Sequence, residues 1–243
     1  LEEWRKDPFT LGEKHGFPKG EKRVFREKWL EAVKRKNSIL CAGLDPAEYG
    51  QRADSIPHGI SKLEWALSFI DKVAPFAAAI KPNRNYIKDL SREEAQKITK
   101  LIHELGMIAI DDSKLVDIGE TNDSGLYHSQ IEGFDAVTYA PFPGNMQEAV
   151  TQAHARGLGL IPLVLMSNKQ FKKIKNMKAG NLKAFEYFAW QAAEYDADAV
   201  VVGAPSSDNH ITDKEVKTVR EIVEDKLVLM PGVGAQGGDA KYI

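Results

Sequence analysis

Met107-Ile-Ala-Ile-Asp-Asp112-Ser-Lys114 is the stretch from which the fold can be read. It opens as an apolar run with no polar face and ends in charge. A strand apolar on both faces must be covered on both, which is the signature of a parallel sheet flanked by helices. Side chains alternate along a strand, so Ile108, Ile110, Asp112 and Lys114 are expected to face the same way. Charge at the end of a buried strand is costly unless it pairs or works.

The same unit recurs on either side. Short apolar runs occupy 38–44, 77–81, 136–140, 158–165, 199–203 and 227–230, giving seven strands with 107–112. Helical spacing is found around 62–73, 91–105, 145–156, 181–195 and 213–224. An amphipathic helix over 21–36, with Val24, Phe25, Trp29, Leu30 and Val33 on its apolar face, precedes the first strand. Strands alternating with helices fit a doubly wound open sheet or a closed (β/α)8 barrel. A barrel needs an eighth strand and helix, and the given sequence stops at Lys241-Tyr-Ile243, so these final elements are expected to be missing from it. No linker or compositional break divides the chain, and 1–243 reads as one domain with 1–20 a polar N-terminal arm.

Composition narrows the function classes. Of 243 residues, 43% are hydrophobic and 28% charged, with 19 Gly and 11 Pro, which excludes a disordered or fibrous chain. Lys and Arg number 33 against 35 Asp and Glu, so no net basic footprint points to nucleic acid or an anionic membrane. Apolar runs fall short of a membrane span, and the first nine residues are too charged for a secretory signal. A single cysteine, Cys41, fits a reducing compartment and reads as a small core residue. The expectation is a soluble cytoplasmic protein.

In either architecture, function belongs at the C-terminal ends of the strands. Those ends carry Asp45, Lys81, Asp112 and Lys114, with Asp117 in the loop beyond, Ser167 and Asn168 after the fifth strand, and Pro231-Gly-Val-Gly-Ala-Gln-Gly-Gly238 after the seventh. Asp-x-Lys reads either as an ion-pair network or as a carboxylate beside a protonated acid. The cluster Gly232, Gly234, Gly237 and Gly238 around Gln236 reads either as a mobile loop or as backbone N–H groups gathered for a phosphate. The six histidines show no metal-ligand spacing and read as solvated, and Phe185, Tyr187, Phe188 and Trp190 read as helix packing.

Taken together, these stretches resemble the orotidine 5′-monophosphate decarboxylase family from about residue 38 to 239. Asp112-Ser-Lys114-Leu-Val-Asp117-Ile-Gly-Glu-Thr121 matches the family's Asp-x-Lys-x-x-Asp-Ile-x-x-Thr, and Pro231-Gly-Val-Gly-Ala-Gln236-Gly-Gly-Asp239 matches its phosphate loop. Gly-Leu-Asp45-Pro, Ile-Lys81-Pro and Met166-Ser167-Asn168 complete the set. The resemblance implies a (β/α)8 barrel that makes uridine monophosphate without metal or organic cofactor. It implies Lys114 as the acid that protonates ring carbon 6, Asp112 against the substrate carboxylate, and Lys81 holding Asp112 and a ribose hydroxyl. Asp117 would reach the other subunit's site in a homodimer, with Thr121 beside it. Asp45 would bind ribose, Ser167 the pyrimidine edge, and Pro231, Gly234, Gln236 and Gly237 the phosphate.

One departure is plain. The family's phosphate-binding Arg, in a Val-Gly-Arg after strand eight, has no counterpart after Asp239. Two alternatives stay open. Magnesium-dependent sugar-phosphate decarboxylases or aldolases share the Asp-x-Lys-x-x-Asp strand, although the Gly-Ala-Gln-Gly-Gly loop and Lys81 argue against them. The other is a non-catalytic nucleotide-binding barrel.

Overall fold

The computed structural model describes residues 24–52, 55–233 and 238. The arm over 1–20 lies outside the described residues. Strands β1 (Cys41–Leu44), β2 (Ala79–Pro82), β3 (Ile108–Leu115), β4 (Ala136–Tyr139), β5 (Gly159–Leu165), β8 (Ala199–Val202) and β9 (Leu227–Leu229) form a parallel sheet in that order. A two-residue hairpin, β6 (Lys178–Ala179) and β7 (Leu182–Lys183), stands apart. Helices are α1 (Val24–Lys36), α2 (Lys62–Val73), α3 (Arg92–Glu104), α4 (Gly119–Ile131), α5 (Met146–Ala155), α6 (Phe171–Ile174), α7 (Ala184–Glu194) and α8 (Asp213–Val223).

The sheet curls. Ala79, Ile108, Ile110, Ala136, Ile161, Leu163, Ala199 and Val201 share one apolar cluster, against which pack both Cys41 from β1 and Leu227 and Leu229 from β9. Strands at opposite edges of the sheet can meet the same cluster only if the sheet wraps around it. This is the wall of a β/α barrel, to which the described residues contribute seven strands. The outward residues, such as Ile80, Ala109, Val137, Leu160 and Val200, pack under the helices in two further clusters. Phe25 of α1 enters the interior cluster, and a Cβ on Gly159 would lie 2.5 Å from its ring, so only glycine lets α1 close that end of the barrel.

The expected helices are present to within a few residues, and four elements, α4, α6, β6 and β7, went unread. Helix α4 buries Asn122, Leu126 and Ser129, a polar face that leaves no apolar stripe to detect. The short α6 and the hairpin occupy the crossing between β5 and α7, and β7 takes the first residues of the helix expected over 181–195. Strand β3 continues past Asp112 to Leu115, with a register irregularity against β4 between Asp111 and Leu115.

Two of the histidines are exposed, as expected, yet each also bonds a buried aspartate. His103, at the end of α3, bonds the buried Asp135 at 2.8 Å, and Asp135 also accepts from Ala109 N at 2.9 Å and Lys28 Nζ at 2.7 Å. His154, at the end of α5, bonds the buried Asp198 at 2.9 Å, and Asp198 accepts from Leu160 N at 3.0 Å. Each aspartate precedes a strand and ties it to the neighbouring strand of the sheet and to the helix that leads into that neighbour. The repeated device pins the barrel floor, remote from the strand ends that carry the site.

This pin has a pH signature. The hydrogen bond to Asp198 raises His154 above its ordinary value, against a smaller opposing effect of burial. A raised folded-state value adds stability that is full below the unfolded value near 6.5 and is lost as pH rises through the folded one. We expect His154→Leu to cost about 1 kcal/mol near pH 5.5 and distinctly less near pH 9, measured by urea denaturation. An equal loss at both pH values would show that the ring contributes only packing.

Candidate functional site

The barrel brings three charged groups together at the C-terminal end of β2 and β3. Lys81 faces inward, two residues on from Ala79, and its ammonium bonds Asp112 Oδ2. Lys114 Nζ donates to the other oxygen, Oδ1, at 2.7 Å. Thr138 of β4 completes the set, with its hydroxyl 3.0 Å from Asp112 Oδ1 and accepting from Lys114 N at 2.9 Å. Asp112 is only 6% exposed, so a full negative charge sits in the barrel mouth between two cations. Burial works to raise its carboxyl, but the Lys81 charge and the hydrogen bonds from Lys114 and Lys81 outweigh it and hold Asp112 below its ordinary value.

Lys114 does not continue a regular strand. Its φ is +51°, in the left-handed region that non-glycine residues enter at a cost. Simple alternation therefore does not account for its direction; the irregularity against β4 and the bond from its backbone to Thr138 hold it there. Strain stored at such a residue is characteristic of working sites.

Behind this trio lies a second network that sequence reasoning missed. Asp111 points the opposite way and is 1% exposed. It accepts from Arg84 Nε at 3.2 Å and Nη2 at 2.5 Å, and from Ser129 Oγ at 2.6 Å. Arg84 also pairs with Glu132, and its backbone N donates to Asp112 O at 3.2 Å. The loop after β2, the end of β3 and the end of α4 are thereby locked together. Thr138 could have been found from period-two reading of Ala136-Val-Thr-Tyr139, as a polar residue facing inward. The Arg84 contact joins distant segments and leaves no local pattern.

The remaining expected site residues are distributed around the same rim. Asp45 follows β1 and pairs with Arg52 at 3.8 Å. Asp117 is exposed in the loop after β3, its Oδ1 accepting from Ile118 N at 2.9 Å and its carbonyl accepting from Asn145 Nδ2 at 3.2 Å. Neither Asp45 nor Asp117 is bonded to the Lys81–Asp112–Lys114 trio. Thr121 is exposed in the first turn of α4. Ser167 lies against the end of β8, where a Cβ on Gly203 would come within 3.0 Å of its own Cβ. The Pro231 carbonyl accepts from Ala204 N at 2.9 Å, and Gly238 N donates to Gly232 O at 2.8 Å, closing the base of the loop after β9. Gly234, Gln236 and Gly237 fall outside the described residues. Cys41 faces the interior beneath the trio, where burial pushes its thiol up to about 12, so it is no nucleophile at neutral pH. Among the described residues, no group of three or more His, Cys, Asp or Glu side chains is placed to hold a metal ion.

Comparison with known proteins agrees with the barrel fold. The model of the orotidine 5′-phosphate decarboxylase / HUMPS family matches residues 38–243. The chain is 31% identical over 227 residues to the orotidine 5′-phosphate decarboxylase of Ralstonia pickettii, covering 88% of this chain and 80% of that one. It is 30% identical over 231 residues to that of Halobacterium salinarum, covering 89% and 80%. Among solved structures, the OMP decarboxylase of Leishmania donovani superposes with a TM-score of 0.69 at 22% identity, over 86% of this chain and 80% of that one. The orotidine 5′-monophosphate decarboxylase of Plasmodium berghei does so with a TM-score of 0.69 at 17% identity, over 90% and 88%.

The trio's dependence on Thr138 can be measured. Thr138→Val keeps the shape and deletes the hydroxyl, leaving Lys114 N without its acceptor. We expect a loss of about 1–3 kcal/mol in urea denaturation, largely restored in Thr138→Ser. A neutral Thr138→Val would remove the hydroxyl from the account of how the trio is held.

Proposed function

The chain belongs to the orotidine 5′-phosphate decarboxylase / HUMPS family, and from that premise we propose that it is a carboxy-lyase converting orotidine 5′-monophosphate to uridine 5′-monophosphate. The observation that carries this reading is the buried Asp112 carboxylate held between the Lys81 and Lys114 ammonium groups. Lys81 and the Gly-Ala-Gln-Gly-Gly loop favour a nucleotide substrate over a sugar phosphate.

On this reading the substrate carboxylate lies against Asp112. The bond from ring carbon 6 to the carboxylate breaks, its electron pair stays on carbon 6, and carbon dioxide leaves. Lys114 gives its proton to carbon 6 and becomes a neutral amine. Two like charges 4 Å apart at an effective dielectric near 20 repel by about 4 kcal/mol. That is too little beside the roughly 8–23 kcal/mol that enzymatic accelerations represent. The larger share falls to Lys114, fixed in advance where negative charge develops. Its bond to Asp112 and its constrained backbone spare the site any reorganisation during reaction. Lys81 holds Asp112 and a ribose hydroxyl, Asp45 a second hydroxyl, Ser167 the pyrimidine edge, and Pro231, Gly234, Gln236 and Gly237 the phosphate. Phosphate binding remote from the reacting carbon contributes to holding this geometry. The scheme uses no metal or organic cofactor.

Asp117 and Thr121 act, on this reading, across a homodimer. Asp117 is flanked by the exposed apolar Val116 and Ile118, and its loop is tied through Asn145 to the loop carrying Phe142, which is 88% exposed. A cluster of apolar side chains at one rim fits coverage by a second copy.

Two experiments test these assignments. Loss of orotate absorbance from orotidine 5′-monophosphate is expected to persist in excess chelator and to fall by at least about 10³-fold in Lys114→Ala. Turnover abolished by chelator, or unchanged in the variant, would sink the mechanism. For the shared site, Lys114→Ala mixed with Asp117→Ala after subunit exchange is expected to regain about a quarter of wild-type activity, because half the dimers are hybrids with one intact site. No recovery in confirmed hybrids would place Asp117 in its own chain's site.

A further inference from the structure

Lys175 is the one lysine of the crossing between β5 and α7 that is buried, at 4% exposure, and the proposed chemistry gives it no task. Its neighbours Lys169, Lys172, Lys173 and Lys178 are all exposed. A buried ammonium is costly unless fully paired, and this one is. Its Nζ lies 2.6 Å from Glu215 Oε1 and 2.8 Å from Oε2, and it donates to His210 O at 2.6 Å. Glu215 is itself immobilised, as the third residue of α8 in a reciprocal cap with Thr212. His210 then reaches back to the crossing. Its Nε2 lies 3.0 Å from Asn168 O, and since a carbonyl only accepts, Nε2 is the donor. The His210 ring also packs against Phe171, with centroids 6.4 Å apart.

These contacts make a closed clasp. One end of the crossing is held at Asn168, next to Ser167, and the middle is held at Lys175, both on the loop between β8 and α8. That loop is in turn bound to the one after β9, through Ala204 N on Pro231 O. Ser167 is set against Gly203, with no room for a side chain between them.

We propose that Lys175, with Glu215 and His210, is a positioning residue that holds Ser167 and the β5–α7 crossing over the barrel mouth, and so governs affinity for the base end of the nucleotide. This rests on the assignment of Ser167 to the pyrimidine edge. Lys175 touches no reacting atom, so its loss acts on binding and not on the proton transfer. Charged pairing, where an apolar pair would fill the same space, holds the crossing in one register.

The test uses Lys175→Met, together with Lys175→Met/Glu215→Gln, in which neither charge is left buried alone and the cap of α8 can persist. Lys175→Arg is the conservative rescue. In the double variant we expect KM for orotidine 5′-monophosphate and the inhibition constant of uridine 5′-monophosphate to rise about tenfold, with kcat within about twofold and Lys175→Arg closer to wild type. Inhibition by inorganic phosphate alone is expected to stay unchanged, since it needs only the loop after β9. Hydrogen exchange is expected to quicken over 166–183 and 206–212 while β2 and β3 keep their protection. Wild-type exchange and KM in the double variant would overturn the proposal, as would a fall in kcat with protection lost throughout the barrel. If the wild-type protein does not decarboxylate orotidine 5′-monophosphate, the functional reading fails by itself. The exchange pattern still decides whether the clasp exists.

Discussion

Everything at the barrel mouth is organised by one constraint: a carboxylate, Asp112, is kept ionised where water scarcely reaches it. Desolvation alone would push it toward neutrality, and two ammonium groups reverse that outcome. Each cation needs its own support. Lys81 has it from alternation, since β2 places every second residue in the interior. Lys114 has it from a departure from regular structure, a left-handed backbone secured by Thr138. The price of the arrangement is local strain, and the apolar interior beneath it supplies the rigid floor on which that strain can persist.

The same logic explains why two adjacent aspartates point in opposite directions. Asp112 serves the interior, and Asp111 is engaged from outside by Arg84 and Ser129. Arg84 bonds Asp111 through its guanidinium and the Asp112 carbonyl through its backbone. The loop that follows Lys81 out of the sheet is thus fastened to the strand that carries Asp112. A shift of either strand end would have to break both a buried ion pair and a backbone hydrogen bond. The two cations can be held against one carboxylate because the strands presenting them cannot drift apart.

How much of this was legible in the sequence depended on whether the signal was local. The strands were legible because parallel, doubly covered strands are short apolar runs, as in Leu158 to Leu165. The trio was legible because charge at the end of such a run is conspicuous, as at Lys81, Asp112 and Lys114. Helix α4 was not, because only Leu126 of its buried face packs in the core, while Asn122 and Ser129 beside it bond other polar groups. The aspartate partners of His103 and His154 were hidden for a related reason: each histidine lies in a polar segment, and only the fold brings a buried aspartate to it. Lys175 was indistinguishable from its neighbours in Phe-Lys-Lys-Ile-Lys-Asn-Met-Lys, since which lysine of a basic run turns inward is decided by what lies beneath it.

The distribution of buried charge separates stability from function within one molecule. On the floor of the barrel, Asp135 and Asp198 accept from backbone N–H groups and bond histidine side chains, so they tie strands together. At the mouth, Asp112 accepts from no backbone N–H among the described residues; its partners are two lysines and a hydroxyl. Lys114, more than a third exposed, is the partner that an incoming ligand can reach. Lys81, at 16% exposure, is the more enclosed of the two. That difference in exposure is what the proposed roles, Lys114 as proton donor and Lys81 as holder, call for.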